Sequence, residues 1–324
     1  MNNNSKIAKQ FSSRGIMKIY PFIGLAIVII GFTIFSKGSI LSLKNITKIF
    51  EQSFSLLLVS TAACFLLAQN CLDMSVGANV GMAATVAAYV SKTSVPLALV
   101  AAVVTGLAIG GINGFLHGVL KINAMIATLA VQFILRGLLL ILCNSGTVGI
   151  AVGMYALDNL LLKIILCVVF VAVCFLIFQY HSFGKKCRAA GAGDTSASQS
   201  GVNLRKLKVI AYLFVGATAG IAGFFTVIRS GAAIYNTGSM LEFNVLIALI
   251  LGGMPINGGA ESKIRSAVIG VMILGFLNNG MIMLGLDTYP QLIVKGTVFL
   301  VVLAMTFSTR NKNRNENKKS RSTC

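Results

Sequence analysis

"GAGDTSASQSGVNLRKLK", residues 191–208, is a polar island near the middle of an otherwise apolar chain. It is rich in glycine and serine and ends in Arg205, Lys206 and Lys208. The sequence around it is 56% hydrophobic and only 11% charged, where soluble domains carry about a quarter charged residues. Mean hydropathy is +0.87. Uncharged runs on either side reach the length, on the order of 20 residues, that carries a helix across about 30 Å of hydrocarbon. A backbone in lipid must satisfy its own hydrogen bonds, so these runs are expected to be helices. The expected fold is therefore all-α, a polytopic integral membrane helix bundle.

Working outward from the island, the apolar runs fall at 19–36, 54–70, 75–91, 95–119, 123–143, 160–180, 209–228, 243–257, 264–286 and 290–308. This predicts about ten membrane elements, some of them only half-crossing. The chain then divides into a basic N-terminus at 1–18, a transmembrane region at 19–308 interrupted by a loop at 181–208, and a basic tail at 309–324. No small-residue cleavage site follows the first apolar run, so it is expected to stay as a span.

The formal net charge is +19, and its placement speaks against a nucleic-acid surface. Lys6, Lys9, Arg14 and Lys18 precede the first run; Lys185, Lys186, Arg188, Arg205, Lys206 and Lys208 flank the island; Arg310, Lys312, Arg314, Lys318, Lys319 and Arg321 fill the tail. Basic residues beside spanning helices mark the cytoplasmic side. An even number of runs separates each cluster from the next, so both termini and the island share that side. Lys37, Lys44 and Lys48, with Glu51, resist the scheme by falling on the opposite one.

No catalytic residues are expected. The chain lacks GxxxxGK[ST], and the island has no lysine placed to reach a phosphate, so hydrolysis of nucleotide by this chain is not expected. It also lacks a GxSxG elbow, a HExxH pair and a close pair of carboxylates. The seven cysteines include Cys64, Cys71, Cys143, Cys167 and Cys174 in or beside apolar runs, with no metal-type spacing; buried free thiols and no metal site are expected. His117 and His181 receive no role.

Polar residues within apolar runs are costly and face a cavity or a neighbouring helix. "QNCLDMSVGANVG", 69–81, is the richest case: Asp73 and Ser75 stand before a helical run, with Asn79 behind. Either they form an ordinary helix start or they mark a broken helix whose positive end lines a solute path. Asn113, Thr128, Gln132, Asn278, Asn279 and Gln291 can likewise bond a hydroxylated solute or a facing helix. Arg136 and Asp287 are expected at an interface.

Glycine is plentiful in "GLAIGGINGFLHG", 106–118, and "GVMILGFLNNG", 270–280, where small residues allow close helix approach. "INGFLHGVL" at 112–120 also parallels "ILGFLNNGMI" at 273–282, and Arg136-Gly137 parallels Lys295-Gly296. An odd number of elements separates the copies, so they run in opposite directions. That predicts an inverted internal repeat with a binding site between the halves.

These motifs together resemble the permease subunits of ribose-type ABC sugar importers, a family that includes ribose, xylose, galactose and autoinducer-2 permeases. "LDMSVGA" at 72–78 is similar to the family's IDLSVG segment, and "NGFLHGVLKINAMIATLAVQFILRG" at 113–137 to its NG…F-I-x-T-L…RG stretch. "SGVNLRKLK", "LGGMPINGGAESK" and "LGFLNNGMIMLGLDTYPQLIVKG" follow in the family's order, so the likeness runs from about Leu72 to about Thr306.

The resemblance implies that the island docks on a cytoplasmic ABC ATPase subunit, with Gly191, Asp194, Ala197, Ser200, Gly201, Val202 and Asn203 forming the coupling loop. Gly193 and Ser196 stand where the family has asparagine and alanine, which lowers helix propensity there. It implies a bacterial inner-membrane protein that works with a second permease copy or paralogue and an extracytoplasmic solute-binding protein, carrying a monosaccharide or similar polyol. ATP and magnesium would be bound by the ATPase, leaving no cofactor in this chain. Asp73, Ser75, Asn79, Asn113, Gln132, Asn278, Asn279 and Gln291 are the candidate path residues. Two other classes remain open: an ion-coupled secondary carrier, disfavoured because Asp73, Glu242 and Asp287 fall at expected helix ends, and a scaffold that moves nothing.

Overall fold

The structure, a computed structural model, describes residues 21–144 and 146–321, with 305–321 as backbone alone. The basic N-terminus at 1–18 and the side chains of the basic tail lie outside the described residues.

In chain order the helices are α1 (Pro21–Phe35), α2 (Leu43–Ala68), α3 (Val76–Ser91), α4 (Val95–Gly114, extended by a π-helical turn at Phe115–Val119) and α5 (Ala124–Cys143). They continue as α6 (Leu160–Gln179), α7 (Ser182–Ala192), α8 (Asp194–Gln199), α9 (Leu204–Ser230), α10 (Leu241–Leu251), α11 (Arg265–Met283) and α12 (Thr288–Arg321). Among the described residues, six helices are long and apolar enough to cross a membrane: α2, α4, α5, α6, α9 and α11. α1, α3, α10 and the 288–304 part of α12 are apolar but shorter. The all-helical membrane bundle is the architecture seen.

Several boundaries differ from expectation: α9 begins at Leu204 rather than 209, and α12 runs on to Arg321 rather than ending at 308. α2 begins at Leu43 rather than 54. Lys44, Lys48 and Glu51 therefore ride on its first turns, where they lower local hydropathy without breaking the helix. α10 stops at Leu251 rather than 257, because Gly252-Gly253 and Pro255 cannot continue it. The segment expected as a loop at 181–208 instead holds two helices, α7 and α8, parted at Gly193. A two-stranded antiparallel sheet, β1 (Thr147–Gly149) with β2 (Ala232–Ile234), departs from a purely helical fold. Strands of three residues are too short to leave an alternating pattern.

Helix starts follow local chemistry. Asn123, Asn159 and Asn203 accept a hydrogen bond from the first turn of α5, α6 and α9 through their side chains, and Pro96 opens α4 where its missing N–H is no loss. Lys163, buried in the first turn of α6, is paired with Asp158 just before the helix, so its charge does not remain alone in an apolar setting.

The centre of the bundle is α9, gripped by α3 and α4 and touching α2. Gly106 and Gly110 of α4 lie directly on Gly216 and Gly220 of α9, so tightly that any β-carbon would strike the opposing backbone. Gly223 meets Val80 and Ala83 of α3 in the same way. These are the close approaches that small residues at a spacing of four permit in lipid, where no hydrophobic push drives helices together. α10 and α11 form the corresponding pair on α2.

The bundle has two ends. At the loop end, Gly259 N donates to Ala68 O (2.9 Å) and Cys71 Sγ lies 3.3 Å from His117 Nε2. At the strand end, Ala151 N donates to Ser91 Oγ (3.0 Å) and Tyr89 Oη to Leu142 O (2.6 Å). The six described cysteines, Cys64, Cys71, Cys143, Cys167, Cys174 and Cys187, are free and buried.

Candidate functional site

The loop end carries the island. Gly191 of α7 faces the last carbonyl of α2, Ala68 O, and the backbone of Gly259 in the α10–α11 loop. Three separate chain segments thus meet at backbone contact. Gly258 sits on Leu67 O and Ala68 O with φ of +64°, a conformation that favours glycine. Ala197 of α8 is buried, while Ser200, which follows the helix, is exposed. Val202 N returns to Ala197 O (3.1 Å), and Gly201 turns the chain at φ +81°. Asn203 then caps α9 through Lys206 N (3.1 Å). Asp194 does not cap by its side chain; it pairs with Lys208 Nζ (2.9 Å), tying α8 back to α9. All seven residues of the expected coupling loop therefore lie in one continuous feature at one end.

The residues around Asp73 form a second cluster. Asn70, at φ +58°, ends the turn after α2. Asp73 Oδ1 accepts from Ser75 N (2.9 Å) and Ser75 Oγ (2.7 Å), and Asn113 Nδ2 of α4 donates to Ser75 Oγ (2.7 Å). Met74 N donates to Thr128 Oγ1 of α5 (3.1 Å) and Tyr212 Oη of α9 to Leu72 O (3.2 Å). The turn leading into α3 is thus held by side chains from three other helices. Asp73 shapes that turn rather than capping the helix.

Of the other candidates, Asn79 donates to Gly106 O (3.3 Å), and Gln132 Nε2 to Glu242 Oε1 (2.9 Å). Asn278 lines a cavity toward the strand end. Asn279 points elsewhere, accepting from Asn45 Nδ2 (2.7 Å), and Gln291 bonds Leu286 O (2.8 Å) at the start of α12. Asp73, Ser75 and Asn113 are brought together; Asn279 and Gln291 are not part of that group.

Sequence reasoning passed over Glu242. It lies in the first turn of α10, is 5% exposed, and its free carboxylate oxygen presses against Gly77 of α3. Arg136 donates to Thr237 O (2.9 Å) on the segment that leads into α10. The signal available was a lone carboxylate immediately before an apolar run. Glu242 and Asp73 line the same small cavity, together with Leu66, Leu67, Val215 and Leu249. Each carboxylate stands at the start of a short helix, α10 and α3. Asp73 Oδ2 and Glu242 Oε2 have no hydrogen-bond partner among the described residues.

The described residues place a two-helix segment, α7 and α8, against the bundle at one end and a polar seam inside it. The family described as "Branched-chain amino acid transport system / permease component" matches residues 45–303. The chain belongs to this family of permease components. The matched stretch takes in the island, the Asp73 turn and Glu242 together. Similar proteins include the ribose import permease protein of Bacillus subtilis (strain 168), 30% identical over 92% of this chain and 95% of that one. The D-allose transport system permease protein of Escherichia coli (strain K12) is 29% identical over 89% of this chain and 91% of its own length. The galactose/methyl galactoside import permease protein of the same organism is 29% identical over 86% and 91%. No solved structure matches the chain. As a permease component this protein is a multi-pass membrane protein, in keeping with its six long apolar helices.

Proposed function

We propose that this permease component is the membrane-spanning subunit of an ATP-driven importer that carries a monosaccharide, as the names of its relatives suggest. The observation that carries the reading is the seating of the α7–α8 segment. Through Gly191 it touches the end of α2 and the α10–α11 loop at once, so a push on α8 reaches both. A separate ATPase that grips α8 differently in its two nucleotide states would bias the bundle between inward-facing and outward-facing forms, since only a differential contact shifts such an equilibrium.

The loop end is the cytoplasmic side in this reading, with Lys121, Lys185, Lys186, Arg188, Arg205 and Lys206 crowding it, and both termini on the same side. The shorter apolar helices α1, α3 and α10, with the 288–304 part of α12, bring the membrane elements to about ten. The inverted repeat is supported by packing: α3 and α4 lie on α9, whereas α10 and α11 lie on α2. Gly114 of the first copy rests on Val209, near the start of α9; Gly275 of the second rests on Ile49 and Ser53, near the start of α2. Asp73 and Glu242, at the starts of α3 and α10, are then equivalent positions in the seam between halves. A second permease copy or a paralogue and an extracytoplasmic binding protein complete the assembly.

Reconstitution tests this. Vesicles holding the permease, its ATPase and its binding protein should take up sugar only with ATP. Ion-driven uptake by the permease alone would replace the importer by a carrier, and no uptake under any condition would reduce it to a scaffold.

A further inference from the structure

At the strand end a cavity of about 170 Å³ opens between α2, α9, α10 and α11. At about 30 Å³ per water, this is room for about six waters. It is smaller than the roughly 300–1,000 Å³ of sites for drug-sized ligands, so it suits one small ring and excludes a chain of rings.

Its lining mixes polar and apolar side chains and is almost neutral. Gln52, Ser53, Ser239, Asn244 and Asn278 bring amide and hydroxyl groups to it, and Arg229 is the one charged side chain among the lining residues. That guanidinium is already committed at Nη1 to Glu51 O (3.1 Å). Asn278 Oδ1 is buried and has no hydrogen-bond partner among the described residues. Leu56, Val80 and Leu241 supply an apolar wall. Exposure grades from Gln52, Arg229 and Ser239 at the rim to Ser53, Leu56 and Val80 at the floor, where Ser55 Oγ and Thr226 Oγ1, 2.8 Å apart, join α2 to α9.

We propose that this chamber is a binding site for one neutral monosaccharide, held within a single permease chain on the side away from α8. The inference rests on the transport reading and adds the place where the solute first rests. Amides and hydroxyls meet the sugar hydroxyls, and the apolar wall meets its C–H face. With no carboxylate in the lining, binding is weak, as a transit site requires, since the solute must also leave.

The test uses Ser239→Cys at the rim and Asn244→Cys deeper in, each labelled by a membrane-impermeant thiol reagent in vesicles containing the full importer. Val152→Cys, 84% exposed at the same end, is the control, and the wild-type chain gives the background. For a millimolar dissociation constant, D-ribose, D-allose or D-galactose at about ten times that value should slow labelling about tenfold at 239 and 244 and leave 152 unchanged. Unchanged rates at both positions with all three sugars, or protection by leucine and by no sugar, overturn the chamber. ATP-driven uptake measured in the same vesicles keeps the two ideas apart. Uptake without protection rejects the chamber alone, and protection without ATP-driven uptake rejects the importer alone.

Discussion

Gly191 of α7 faces the carbonyl oxygen of Ala68, the last residue of α2, so closely that a β-carbon at 191 would overlap it. The island is therefore fixed to the bundle by backbone, not by a flexible side chain, and movement at one should be felt at the other. Gly191→Ala adds one methyl group where none fits, a change that costs about 1–3 kcal/mol. We expect ATP-driven uptake to fall about tenfold or more while the chain still inserts and folds. Uptake assays with co-purification of the ATPase decide it, and wild-type uptake by the alanine variant would remove Gly191 from the coupling scheme.

The α4–α9 contact makes a second prediction. Gly216→Leu must push Gly106 and Gly110 away, and overpacking of this kind costs about 1–3 kcal/mol or more. Gly111, next to Gly110 but meeting only the end of the Leu213 side chain at 3.5 Å, should accept leucine with little effect. Thermal unfolding in detergent should separate the two variants clearly; equal melting temperatures would contradict the packing.

Glu242 and Gln132 are bonded across α10 and α5 at 2.9 Å. Glu242→Ala leaves the Gln132 amide without its partner, at about 1–3 kcal/mol, and opens space beside Gly77. Glu242→Gln keeps the shape and a carbonyl acceptor, so it should lose less. The order wild type, glutamine, alanine in melting temperature is the expected result. Alanine matching wild type would show that this contact contributes nothing.

Cys187 lies in α7, outside the spans, buried and accepting from Gln69 Nε2 (3.3 Å). Burial pushes its thiol up to about 12, so between pH 7 and 9 it stays protonated and, since the thiolate is the reactive form, inert. In the folded importer, alkylation at Cys187 read by mass spectrometry should stay low and nearly flat across that range. In the unfolded chain it should climb steeply toward the ordinary thiol value of about 8.5. Fast labelling of the resting protein would mean that α7 is not seated.

Hydropathy recovered each apolar helix because it is a local sum, but it failed at edges where charge and helix coexist. Lys44 and Lys48 hid the first turns of α2. Glycine spacing announced close helix approach in α4, yet not that Gly106 and Gly110 would meet Gly216 and Gly220. Asp73, Ser75 and Asn113 were legible as candidates since three polar groups in apolar runs stand out. Glu242 was not, because it does stand at a helix end, as expected, and nothing along the chain shows that this end packs against Gly77.

The sequence by itself determined that this chain lives in a bilayer, where its helices run, that a polar basic island interrupts them, and to which family of permeases it belongs. Each of these depends on composition or order along one stretch of chain. Only the tertiary structure decided that α9 stands at the centre, that Glu242 is buried against Gly77, and that a chamber opens between α2, α9, α10 and α11. The reason is physical: in lipid, helices choose partners by shape and by a few hydrogen bonds. Glu242 and Gln132, 110 residues apart, acquire a common environment only when the helices that carry them have packed.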